Sequence, residues 1–135
     1  MGNVGDVDAR GARSVTLPAE LRSVAKARHF VAETVTSWLD DPSDVLLMTS
    51  ELVANVVRHA ETEVAVSVRR GPPVRVEVHD GVAATEAFRE LIGVGVAMPD
   101  PSSPGGRGLA LVRALSSRIG LDDDPGGGKV VWFEC

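Results

Sequence analysis

The sequence predicts an α+β two-layer sandwich: a mixed, mostly antiparallel sheet with helices packed on one face. Three observations predict it. VAVSVRR (64–70) and VRVEVHD (74–80) alternate apolar and polar residues and are joined only by Gly-Pro-Pro, so they read as an antiparallel hairpin. Two stretches with helix-period apolar residues precede that hairpin, and GGRGLALVRALSSRIG follows it as a glycine turn opening into a third helix. The chain then closes on two further short strands, which gives the order strand, helix, helix, two strands, loop, helix, two strands.

Taken in order, residues 1–13 are polar and glycine-rich and are expected to form a disordered tail, with a single domain over 14–135. Residues 14–17 read as a short edge strand ended by Pro18. Across 19–39, Leu21, Val24, Ala25, Phe30, Val31, Val35 and Trp38 repeat at helical spacing. In DDPSD, Pro42 stops continuation and Ser43 or Asp44 is placed to cap a second helix running to about Ala60. In the hairpin, Val74, Val76 and Val78 share one strand face, while Arg69, Arg75 and Glu77 point the other way, so only one face of the pair is buried. Residues 81–106 are rich in Gly, Pro and small residues, with a weak helical turn around 86–92. A loop of that length in a compact domain is uncommon and is usually functional. The third helix should be closed by Gly120, with strands at 119–122 and in KVVWFE on either side of the turn DDDPGGG.

Composition narrows the function classes. At 135 residues the chain fits one domain with a real core, and with aromatics at 4% that core must be aliphatic. A net charge of -5 argues against broad nucleic-acid binding, which needs a basic surface. It leaves open a small anion held by backbone dipoles. The single cysteine, Cys135, can close no internal disulfide and suits a reducing compartment. The start has no hydrophobic signal core, and no apolar run is long enough to span a bilayer. A cytoplasmic protein without membrane contact is the expectation.

Within the second helix, ELVANVVRHA sets Glu51, Asn55 and Arg58 at helical spacing as a narrow polar stripe among Leu, Val and Ala. A carboxylate there can act as general base for a hydroxyl, and an Asn oxygen suits Mg²⁺, which takes hard oxygen ligands. A zinc site adding His59 lacks an HExxH pair or a cysteine cluster. Asp80-Gly81 ends an alternating strand, where the carboxylate can accept hydrogen bonds from a ligand amine; an ordinary Asp-Gly turn reads the same way. Gly105, Gly106 and Gly108 flank Arg107 before Leu109, and free N–H groups at a glycine-lined helix start suit an anion. The glycine turn is neither GxxxxGK[ST] nor a dinucleotide fingerprint, and no GxSxG elbow is present.

In combination, E-x-x-x-N on an apolar helix, a strand ending in Asp-Gly, a long loop and GGRGLALV resemble the GHKL, or Bergerat-fold, ATP-binding superfamily. More closely, the arrangement looks like the small, stand-alone bacterial anti-sigma-factor serine/threonine kinase branch. ELVANVVRHA is similar to the family's N box, VEVHDG to its first glycine box and GGRGLALV to its second. The resemblance covers about 14–134 and implies the Bergerat fold, ATP and Mg²⁺ as cofactors, and kinase activity toward a protein partner. That partner would be a sigma factor or an anti-sigma antagonist, and a homodimer is possible. It further implies that Asn55 ligates Mg²⁺, that Glu51 activates the nucleophile and that Asp80 receives the adenine amino group, with Gly81 beside it in the cofactor site. Gly106, Arg107, Gly108 and Leu109 would serve the phosphates, with 82–105 as a lid. One departure stands out: Asp80 is followed by Gly-Val-Ala-Ala rather than by glycines at the second and fourth positions. A sequestering module that binds ATP silently, or one that no longer binds nucleotide, is the alternative.

Overall fold

The computed structural model describes residues 3–4, 11–93 and 106–135. One six-stranded sheet runs in the order β1 (Asn3–Val4), β2 (Ala12–Leu17), β3 (Val64–Arg69), β4 (Arg75–Asp80), β6 (Lys129–Glu134), β5 (Arg118–Asp123). Every described pairing is antiparallel, where a partly mixed sheet was expected. The helices are α1 (Arg22–Val35), α2 (Ser43–Asn55), α3 (Glu86–Ile92) and α4 (Gly106–Leu115).

Strand alternation fixes the layers. Val66 lies opposite Val78 and Val68 opposite Val76 between β3 and β4, and Val76 and Val78 face Phe133 and Val131 of β6. These side chains are buried and meet Phe30, Val31, Met48, Leu52, Val53, Leu109 and Val112 from the helices in one core. Burying this aliphatic surface, at roughly 25 cal/mol per Å², is the main term holding helices to sheet. The other sheet face carries polar residues, as the alternation requires. There Arg75 lies 3.8 Å from the centre of the Trp132 ring and pairs with Glu77 at 2.8 Å and Glu134 at 3.3 Å.

Several boundaries differ from the sequence reading. The first long strand begins at Ala12 and is flanked by β1, so it is not an edge. Part of the stretch expected to be a disordered tail is therefore strand. Helix α1 is shorter than 19–39. Ser23 donates to the Pro18 carbonyl at 2.7 Å in the turn before it, and its end runs into turns where Trp38 N donates to Val35 O at 2.8 Å. Neither Ser43 nor Asp44 caps α2: Asp41 Oδ1 accepts from the Ser43 N–H at 3.0 Å instead. The helix around 86–92 is present, capped by Thr85, whose hydroxyl accepts from Phe88 N at 3.1 Å.

Gly120 does not close α4, which ends at Leu115; it sits inside β5 opposite Trp132. A Cβ on Gly120 would lie 2.1 Å from Trp132 Cζ2, so only glycine lets the indole lie flat on β5. Gly120→Ala is expected to cost about 1–3 kcal/mol by overpacking, read as a lowered urea midpoint with an unchanged slope.

Candidate functional site

The second helical stretch stays α-helical only to Asn55. Val56–Ala60 then form one π-helical turn, in which Glu61 N donates to Val56 O at 3.0 Å. Glu61 itself takes the left-handed conformation, φ 55°, and ends the segment. Such π turns are frequent at functional sites. The wider turn sets His59 and Ala60, along with Leu52, Asn55 and Val56, on one wall of a cavity of about 630 Å³. The opposite wall comes from Val78, Asp80, Lys129 and Val131 of the sheet, and α3 contributes Phe88 and Leu91. This size and a mostly apolar lining with few polar groups are those of a small-molecule site.

Asp80 is the polar centre of the sheet wall. Its residue is 3% exposed and that of Lys129 is 8% exposed. The two are register partners at the end of β4 and the start of β6. Lys129 Nζ lies 3.0 Å from both Asp80 carboxylate oxygens and donates to the Val82 carbonyl at 3.1 Å. Val82 N donates back to Asp80 Oδ1 at 2.8 Å, which ties the segment after β4 to the carboxylate. Gly81 N donates to Thr62 Oγ1 at 2.9 Å, so Gly81 shapes the turn and stands outside the cavity lining. A Cβ on Gly128 would come within 2.0 Å of the Asp80 carbonyl oxygen, so a glycine here lets β6 begin directly beside Asp80. In the turn leading to β6, the Gly126 N–H holds the Asp124 carboxyl below the usual range, helped by His79, whose Nε2 lies 2.5 Å away. A carboxylate held low adds stability above its unfolded pKa and loses it as pH falls through its folded value.

The predicted residues therefore fall into two groups. Asn55 and Asp80 face one cavity from opposite walls. Glu51, one turn before Asn55, lies outside that lining and instead meets the start of α4. A Cβ on Gly108 would stand 2.7 Å from Glu51 Oε2. Leu109 is a core residue, 1% exposed, and does not line this cavity. Arg107 is exposed, and Gly106 begins α4. Half of the expected lid, 94–105, lies outside the described residues; its other half, 82–93, includes α3 and lines the cavity through Val82, Ala83, Thr85 and Phe88. Among the described residues no group of three or more His, Cys, Asp or Glu side chains is gathered for a metal, so Glu51 and His59 form no zinc-type cluster. Sequence reasoning missed Lys129, Thr62 and Phe88. For Lys129 a signal existed: it holds the inward register of Val131 and Phe133, where a charge needs a buried partner.

The fold has a counterpart among known proteins. The model of the histidine kinase-like ATPase domain matches residues 17–134. The chain belongs to that family. Nucleotide binding is what membership in this ATPase-like family implies. The fold is that of a GHKL-type two-layer sandwich. Among solved structures, a chain of the SiaB–SiaC complex from Pseudomonas aeruginosa matches with a TM-score of 0.67 at 12% identity, covering 100% of this chain and 88% of that one. At that identity the likeness shows the fold. No curated protein matches in sequence. No described helix is long and apolar enough to cross a membrane.

Proposed function

We propose that this histidine kinase-like ATPase domain is a cytoplasmic regulatory protein that binds ATP and transfers its terminal phosphoryl group to a serine or threonine of a protein partner. The carrying observation is the cavity with Asn55 on its helical wall and Asp80 on its sheet wall. The residues fit the group. Phe88, Leu52, Val78 and Val131 offer apolar faces to a base, and Asp80 offers a buried acceptor to its amino group. Asn55 would hold Mg²⁺ through its amide oxygen, and Gly106, Arg107, Gly108 and Leu109 would serve the phosphates by backbone N–H groups at the start of α4. ATP with Mg²⁺ supplies the phosphoryl group and neutralises its charge. The chain's own chemistry is positioning: Glu51, beside Gly108 and one turn from Asn55, orients the partner's hydroxyl and takes its proton.

The partner is proposed to be a sigma factor or its antagonist, with a homodimer as part of the same reading. The solved relative was crystallised as a complex of two different proteins, which supports a protein partner. A second reading keeps ATP as a structural ligand of a sequestering protein; Glu51 standing outside the cavity lining favours it. Calorimetry tests the shared claim. The wild type should bind MgATP, and Asn55→Ala should remove the Mg²⁺ dependence and weaken binding about tenfold or more. Absence of binding at millimolar ATP would sink both readings. Transfer of labelled phosphate to the partner separates them.

A further inference from the structure

The Asp80–Lys129 pair raises a question that the ATP reading leaves open: how does a carboxylate already paired with an ammonium select a base? Hydrogen-bond accounting answers it. An ammonium has three N–H donors. The two oxygens of one carboxylate subtend a far smaller angle at Nζ than the tetrahedral spread of those donors. Both sit 3.0 Å from Nζ, so one N–H is shared between them. A second goes to the Val82 carbonyl at 3.1 Å. The third has no acceptor among the described residues, and Lys129 lines the cavity with its Nζ 5.1 Å from the centre of the Phe88 ring. On the carboxylate, Oδ1 is taken up by the Val82 N–H and the Lys129 N–H, whereas Oδ2, 3.0 Å from the same Nζ, has no other donor among the described residues. The wall thus offers one acceptor beside one donor, both nearly removed from water.

We propose, resting on the nucleotide reading above, that Lys129 is a specificity-determining residue. Asp80 Oδ2 accepts one N–H of the base amino group while the Lys129 ammonium donates to the ring nitrogen next to it, the edge that adenine presents. Guanine fits the same wall poorly. Its carbonyl can meet Lys129, but its ring N–H and amino group are two adjacent donors that together need both carboxylate oxygens, and Oδ1 is spent. One buried guanine donor is left unpaired, and unpaired polar groups are what give such sites their discrimination.

The test is calorimetry on the full chain with three probes: MgATP, the same nucleotide with C–H replacing the ring nitrogen beside the amino group, and MgGTP. The wild type should bind the C–H analogue and GTP each at least about tenfold more weakly than ATP. In Lys129→Met the ratio of ATP to analogue affinity should fall to near one. Equal wild-type affinity for ATP and the analogue would overturn the role of Lys129 without needing any variant to fold. GTP binding as tightly as ATP would overturn the assignment to the adenine edge. If none of the three binds at millimolar concentration, the nucleotide reading itself falls, an outcome distinct from equal binding.

Discussion

Asp80→Ala should cost roughly 3–5 kcal/mol of stability and abolish nucleotide binding at the same time, because it leaves a buried lysine without its counter-charge. Lys129 is 8% exposed, and among the described residues its ammonium would keep only the Val82 carbonyl and the Phe88 ring nearby. The Val82 N–H would also lose its acceptor. Stability and binding can be separated by replacing the whole pair. The double variant Asp80→Leu, Lys129→Met swaps a buried ion pair for apolar side chains of similar volume, a change that is often neutral or stabilising. It should recover most of the lost stability in urea denaturation and still bind no ATP. A double variant as unstable as Asp80→Ala would show that the pair acts through packing rather than charge. One that bound ATP normally would remove Asp80 from the site.

Glu51→Ala should leave MgATP affinity within about twofold and lower phosphate transfer to the partner by about 10²–10⁴, the range for loss of a positioned general base. Glu51 lies outside the cavity lining, so truncating it removes no contact to the base. Gly108 gives an independent handle on the same side chain. A methyl there would stand 2.7 Å from Glu51 Oε2, the far end of a flexible side chain, which can move at little cost to folding. Gly108→Ala should therefore displace the carboxylate and slow transfer while the protein stays folded. Transfer unaffected by both changes would take Glu51 out of the reaction, and a wild type that transfers nothing to its partner would favour sequestration.

How legible this was in the sequence depends on the length scale of the controlling interaction. The hairpin from Val64 to Asp80 was readable because alternation and a short link fix its register locally. The weak helical turn at 86–92 and the strand KVVWFE were readable too, whereas the Thr85 cap was not picked out. Asn55 and Asp80 were each ambiguous alone and gained meaning only from the spacing of three motifs, since a cavity wall is assembled by tertiary contact. The π turn after Asn55 was not readable: Val56–Ala60 carry the same helix-period pattern as the α-helix before them, and what changes is one hydrogen-bond step ending at Glu61. Gly120 looked like a helix stop because glycines commonly end helices, yet its reason for being glycine is the Trp132 ring on the neighbouring strand. Lys129 was passed over as the first residue of a strand; its partner lies 49 positions earlier in sequence.

The central claim is that the cavity between α2, α3 and the β4–β6 wall is where nucleotide binds. The most direct measurement is an MgATP titration followed by backbone and indole N–H chemical shifts. Saturable shifts are predicted at Asn55, Asp80, Val82, Phe88 and Lys129, with the Trp132 indole on the opposite sheet face unmoved. Shifts centred on Trp132 and Arg75, or none at millimolar MgATP, would contradict the account.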